Sequence, residues 1–286
     1  MPWSYLCIVP TSSDTMAITN RPITEAPLLP DPVHSSLYVA QEHEPGPMLL
    51  LIHGLGANGG AWEPLMPLVR RDWRGAWVVP DLRGHGRSTH TGLYSFGAFA
   101  ADLAPLVGGG NKVAIIGHSL GGLLGAFLAS GWFGLQVDMV LALSVKTVWS
   151  DAELNKFRAL SEKPVAWMDT RGEAEGRLIR ASGLTGIADA SSAVVKAGIS
   201  ELHGRFRFAA DSKVIGSPGP NVGGIIRAAR CPVHFATGEM DQMAPVEQHL
   251  PFDPRAVVIA GAGHNVHMEK PEEVWELFRA RWQAHE

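Results

Sequence analysis

Two cysteines, Cys7 and Cys231, are all that the 286 residues contain. A pair so far apart in sequence builds neither a disulfide framework nor a thiolate metal cluster, and it fits a reducing cytoplasm. No apolar run reaches the length of about 18 residues that a membrane-spanning helix needs. Basic residues are not in excess: 24 Lys and Arg meet 28 Asp and Glu, a net charge of −4, which gives no reason to expect nucleic acid as a partner. The opening nine residues lack a basic n-region and a small-residue cleavage site, which argues against a signal peptide. Neither an internal repeat nor a low-complexity tract is present.

What is present is the composition of a globular α/β enzyme, 46% hydrophobic and 18% charged. The stretch on which the chain turns is Gly117-His118-Ser119-Leu120-Gly121-Gly122. An apolar β-branched run over 112–116 precedes it, after turn residues at 108–111, and a proline-free run with helical spacing over 123–129 follows. Strand, sharp turn and helix are the context in which G-x-S-x-G acquires a chemical meaning. Gly117 and Gly121 are required where strand and helix pass too close for a side chain. Ser119 is then lifted above the strand end, and the N–H of Leu120 opens the helix, aimed at any oxyanion that forms.

The rest of the chain alternates strand and helix. Apolar runs at 48–52, 76–79, 137–143, 232–236 and 256–259 read as buried strands, with a weakly alternating edge strand in 33–41. Helices are expected over 63–71, 96–107 and 272–284, the last opened by Pro271. This predicts a mostly parallel, doubly wound sheet with helices on both faces. About 85 residues separate the run ending at Leu143 from the one at Pro232, far more than a crossover needs. The expected division is a loosely held arm over 1–32, with Met16 as a second candidate start, a core formed by 33–144 and 230–286, and a helical cap over 145–229. Within the cap, helices are expected at 151–160, 172–181 and 190–199, and a Gly/Pro/Ser-rich loop at 212–224.

A serine hydroxyl needs a base to take its proton and a third group to orient the base, all at the carboxyl ends of strands. Two loops supply them: 237–245 carries Glu239 and Asp241, and Gly261-Ala262-Gly263-His264-Asn265 carries His264. The chain order Ser119, Asp241, His264 suits successive strand ends. Glu239 competes as the acid, but the later residue of the turn reaches the neighbouring loop better. His264 and His267 lie three apart with no third ligand near, so no metal and no other cofactor is called for. His53 and His118 are expected to brace backbone. In Asp81-Leu82-Arg83-Gly84-His85-Gly86-Arg87-Ser88, Asp81 and Arg83 are expected to pair and hold a turn.

With these residues in view, the chain resembles the α/β-hydrolase fold superfamily over about 48–144 and 230–284. His53-Gly54-Leu55-Gly56 resembles its oxyanion loop, 81–88 its structural turn, Gly117 to Gly122 its nucleophile elbow, Gly238 to Asp241 its acid loop, and Gly263-His264 with Glu269-Lys270-Pro271 its histidine loop. The resemblance implies a Ser119–His264–Asp241 triad and an oxyanion hole made by the N–H groups of Leu55 and Leu120. Serine at position 119 sets the chain apart from the dehalogenase and epoxide-hydrolase branches, which place aspartate there. The implied activity is hydrolysis of a small carboxylic ester, thioester or lactone, with C–C hydrolysis of a diketone-like acid, or a ligand receptor with little turnover, as alternatives. The expected partner is a small molecule, with no nucleic acid or membrane.

Substrate preference is expected to lie in the cap. Residues 145–230 carry 13 Lys or Arg against 9 Asp or Glu, which leaves +4 there and −8 on the rest of the chain. That asymmetry suggests an anionic substrate met by Arg205, Arg207 or Lys213, against the plainer reading of a solvated surface. Trp149, Phe157 and Trp167 are the expected aromatic lining.

Overall fold

The computed structural model describes the backbone of Cys7–Val9 and Ala17–Thr19, and residues 37–107, 112–217, 219 and 221–284. Strands β1 (Cys7–Val9) and β2 (Ala17–Thr19) pair antiparallel in a unit of their own, Met1–His34. The remainder of the arm, the start of the expected edge strand and the turn at 108–111 lie outside the described residues.

In the unit Ser35–Glu286 the apolar runs become strands because each offers side chains to both faces of a sheet. They are β3 (Val39–Glu42), β4 (Met48–Ile52), β5 (Ala76–Pro80), β6 (Val113–His118) and β7 (Met139–Leu143), and, beyond the cap, β10 (Val233–Gly238) and β11 (Val257–Ile259). Seven strands pair in the order β11-β10-β7-β6-β4-β5-β3, all parallel except the edge strand β3. Every residue of β4 to β7 is buried, as expected of strands covered on both faces.

The period of two sorts their side chains. Leu50 and Ile52 of β4 join Ile115 and Val140 in one core, against helices α2 (Phe96–Leu103) and α3 (Leu120–Leu128). Leu49 and Leu51 join Ile116 and Leu141 in a second core on the other face, which α1 (Met66–Asp72) and α9 (Pro271–Gln283) cover with Val69, Trp275 and Phe278.

Between β7 and β10 come α4 (Asp151–Ser161), α5 (Arg171–Ala181), α6 (Ala193–Ala197), β8 (Ile199–Leu202), β9 (Arg205–Phe208) and α7 (Val222–Arg227). The expectation of a purely helical cap is corrected here. The helix read at 190–199 shrinks to α6, and β8 and β9 form an antiparallel hairpin. Its turn, His203-Gly204, has φ of 52° and 74°, the positive pair that a two-residue turn requires. The loop read at 212–224 ends inside the first turn of α7, whose Val222 and Ile226 pack in the core beside α3. The cap therefore gives way to the core before residue 229. One further helix, α8 (Val266–Glu269), lies between β11 and α9. Among the described residues no helix is long and apolar enough to cross a membrane.

Candidate active site

Ser119 stands between β6 and α3 with φ 50° and ψ −114°, a conformation a non-glycine residue rarely holds. Its own N–H donates to the Leu143 carbonyl at 2.8 Å. A Cβ on Gly121 would strike the carbonyl oxygen of Ile52, and one on Gly117 would strike that of Gly121. A Cβ on Gly54 would press on the His118 ring and the Cβ of Ser119. The strained serine is thus held by its neighbours' lack of side chains. Leu120 opens α3, so its N–H has no acceptor one turn earlier. It and Leu55 border the same cavity as Ser119.

His264 reaches Asp241 across 2.9 Å, Nδ1 to Oδ2. A carboxylate only accepts, so Nδ1 carries the proton and Nε2 is left with its lone pair. The Asp241 side chain is 1% exposed and that of His264 25%. The N–H groups of Met243 and Ala244 donate to the other Asp241 oxygen at 2.9 and 3.2 Å. Burial works against the Asp241 charge. The hydrogen bond and charge of His264, with the Ala244 N–H, outweigh it and take the carboxyl down to about 2. Glu239, the competing acid, is exposed and accepts from the Gly261 N–H at 2.9 Å. It is Asp241 that bonds His264.

His53 and His118 hold backbone, as expected. His118 donates from Nε2 to the His264 carbonyl at 2.8 Å, which ties the residue before the serine to the histidine loop. His53 donates from Nδ1 to the Gly54 carbonyl at 2.8 Å and accepts the Leu82 N–H at 2.9 Å on Nε2. Burial lowers the pKa of both rings, so they stay neutral. Asp81 is buried and accepts from the Gly59 N–H at 2.7 Å, anchoring the loop that carries Leu55. Its expected pairing with Arg83 is corrected: Arg87 pairs with Asp81 at 2.8 Å, whereas Arg83 pairs with Asp102 at 2.6 Å. Among the described residues no group of three or more His, Cys, Asp or Glu could hold a metal ion.

A cavity of about 920 Å³ opens over Ser119 and His264 and is lined in part by cap residues. Trp149 and Phe157 line it, with ring centroids 5.1 Å apart. Trp167, Arg205, Arg207 and Lys213 do not. For Arg205 and Arg207 the pleat of β9 is the reason. Phe208 lines the cavity, so Arg205 and Arg207, at odd positions on the strand, face away. There Arg205 pairs with Asp169 at 3.3 Å and Arg207 lies 5.8 Å over the Trp167 ring. Met168, next to Trp167, is bridged to Phe206 and turns inward. The strict alternation Arg205-Phe206-Arg207-Phe208 was the signal for both corrections.

A model of the alpha/beta hydrolase family matches residues 49–277. The chain belongs to the alpha/beta hydrolase family. Among its relatives, lipase LipV of Mycobacterium tuberculosis is 25% identical over 271 residues, covering 86% of this chain and 97% of LipV. The 30 kDa magnesium-chelatase subunit of Rhodobacter capsulatus is 43% identical over 88 residues, 29% of this chain. The match spans only 30% of that relative's length. The thioesterase domain of a curacin biosynthetic pathway superposes with a TM-score of 0.70 over 97% of this chain and all of that domain. At 18% identity, that likeness concerns the fold. In this family the same frame carries many chemistries, so the function must be argued from the site.

Proposed function

We propose that this alpha/beta hydrolase cleaves small-molecule carboxylic esters, thioesters or lactones with Ser119 as nucleophile, His264 as base and Asp241 as the acid that orients it. The observation that carries the reading is the 2.9 Å His264–Asp241 bond beside a cavity that also exposes a serine at φ 50°. The relative named a lipase, aligned over 97% of its length, supports the ester class.

In this reading the Ser119 oxygen attacks the carbonyl carbon while Nε2 of His264 takes its proton. The charge that forms on the carbonyl oxygen is met by the N–H groups of Leu55 and Leu120. His264 returns the proton to the leaving alcohol or thiol, and an acyl group remains on Ser119. Water, deprotonated by the same ring, then releases the acid and restores the serine. Asp241 keeps the proton of His264 on Nδ1 and stabilises the imidazolium of each transfer.

The test is labelling by a fluorophosphonate, located by peptide mass spectrometry, together with a panel of p-nitrophenyl esters and a vinylogous diketone acid. Labelling at Ser119 with ester turnover is expected. No label and no ester turnover would refute the reading, and turnover of the diketone acid alone would move it to C–C hydrolysis.

A further inference from the structure

The positive charge of residues 145–230 reaches the cavity through residues other than those the sequence suggested. Four cations line it, Lys146, Lys163, Arg177 and Arg180, against two carboxylates, Asp211 and Glu269. Lys146 is occupied by Glu153 at 3.1 Å, and Arg177 by Glu173 at 3.8 Å. Of the carboxylates, Asp211 accepts from the Tyr94 hydroxyl at 2.8 Å and Glu269 from the Gly263 N–H at 2.8 Å, bonds that leave both negative and, among the described residues, Glu269 Oε1 without a partner, so the lining keeps a surplus of two cations. Lys163 and Arg180 are different. Among the described residues neither has a carboxylate within 4.0 Å.

Their setting is fixed to the catalytic loop. Arg180 lies in the last turn of α5, where a cation suits the negative end of the helix. The following residues, Ser182 and Gly183, accept hydrogen bonds from the Asn265 side chain at 3.1 and 3.4 Å. Asn265 adjoins His264, so the end of α5 is pinned beside the proposed base. Lys163 enters from the exposed segment after α4, next to Pro164 and Val165, which also line the cavity. The same cavity is also lined by apolar side chains, Phe157, Leu178, Phe208 and Ile215 among them. At about 920 Å³ the space is at the upper end of drug-sized sites, which run to about 1,000 Å³.

We infer that Lys163 and Arg180, at the wall of the cavity that holds Ser119, recognise an anionic group, a carboxylate or phosphate, carried by the substrate. This rests on the ester-hydrolase reading for the reacting end only, because the anion contact exists before any bond breaks. An interaction that is equal in ground and transition states alters KM and leaves kcat alone.

Calorimetric binding to the Ser119→Ala variant tests the inference without turnover. One arm compares monomethyl suberate with dimethyl suberate, placing the carboxylate on the acyl side. The other compares octanoylglycerol phosphate with octanoylglycerol, placing a phosphate on the alcohol side. In at least one arm the anion is expected to bind more tightly than its neutral partner, and the arm that responds identifies the source of the charge. Lys163→Gln or Arg180→Gln is each expected to reduce that preference up to about fivefold, with Arg180→Lys restoring part of it. The double variant is expected to reduce it roughly tenfold or more, with neutral ligands unaffected and the preference shrinking in salt. Equal affinity for charged and neutral ligands, or a preference kept by the folded double variant, overturns the inference. Absence of fluorophosphonate labelling on the intact enzyme is a separate result and overturns the ester reading alone.

Discussion

The sheet and the cap solve the same problem, enclosing a cavity, with different means. Around Ser119 the chain is clamped by close backbone passages, Gly121 on the carbonyl of Ile52 and Gly117 on Gly121 itself. Behind them lie two large cores that meet through the strands. The cap has two small clusters of buried residues: Leu184, Val194 and Val195, which close on Ala61 of the core, and Met168, Ala174, Leu178 and Ile199. It meets the core loops through polar bonds, such as Asn58 to the Val194 carbonyl at 2.8 Å and Asn265 to Ser182, and through a close passage at Gly60, where a Cβ would strike the backbone of Ala193 and Val194. Geometry that must hold a nucleophile is built from backbone. The cap borders the cavity with side chains such as Phe157, Leu178 and Phe208.

The largest test of that contrast is catalytic. Ser119→Ala and His264→Ala are each expected to lower kcat by roughly 10⁶, as in serine proteases, with the double variant scarcely worse. Asp241→Asn is expected to cost on the order of 10⁴, because it disturbs only the tautomer and the charge balance of the ring. Steady-state kinetics on the best ester, with circular dichroism to verify folding, measures all four. A tenth of the activity surviving in a folded Ser119→Ala would end the assignment.

Next come the glycines. Gly121→Ala drives a methyl into the Ile52 carbonyl and is expected to cost more than about 4 kcal/mol, or to prevent folding. Gly204→Ala, in the cap hairpin, meets nothing within 4 Å and pays only for its positive φ, about 1 to 2 kcal/mol. Urea unfolding of the two variants compares the regions directly, and similar losses would erase the contrast. Truncation of apolar side chains is a milder comparison. Leu51→Ala, in the core, is expected near the top of a range of about 2 to 5 kcal/mol, and Leu178→Ala, in the cap, near the bottom but with a raised KM.

A comparison that depends on pH concerns three buried rings behind the site. Burial takes His85 and His267 down to about 3, and His118 well below its ordinary value. The folded chain keeps them neutral, whereas the unfolded chain protonates them below about pH 6.5. Stability from this source is complete above pH 6.5. It declines as pH falls from there toward 3, by up to about 1.4 kcal/mol per pH unit for each ring. Asp241, at about 2, adds a loss in the same direction at still lower pH. His267 stacks between Trp62 and His118, at 4.5 and 4.4 Å, and neither of its nitrogens has a hydrogen-bond partner. His267→Phe is therefore expected to be neutral to about 1 kcal/mol stabilising at pH 7, with a larger gain at pH 5. Unfolding curves across pH measure this, and a loss at both values would reveal a partner for the ring.

Much of this arrangement was legible before any coordinates, and the reason is locality. Each of 48–52, 76–79 and 113–116 is a continuous apolar run of the kind a doubly covered strand shows. Gly117, Ser119 and Gly121 lie within five residues of one another, so the elbow's sterics are written in one turn. Asp241 and His264 sit just past strands, where a parallel sheet must gather its polar ends. The sequence by itself therefore determined the fold class and the three residues proposed to share the reaction. Only the tertiary structure decided which acids and bases meet: Arg87 rather than Arg83 on Asp81, and Lys163 and Arg180 rather than Arg205 and Arg207 at the cavity. These pairings join residues whose separation in sequence carries no information, because a long side chain's partner is set by how the segments pack. The pleat of β9 turned two arginines outward, and the end of α5, pinned at Asn265, brought another to the cavity wall.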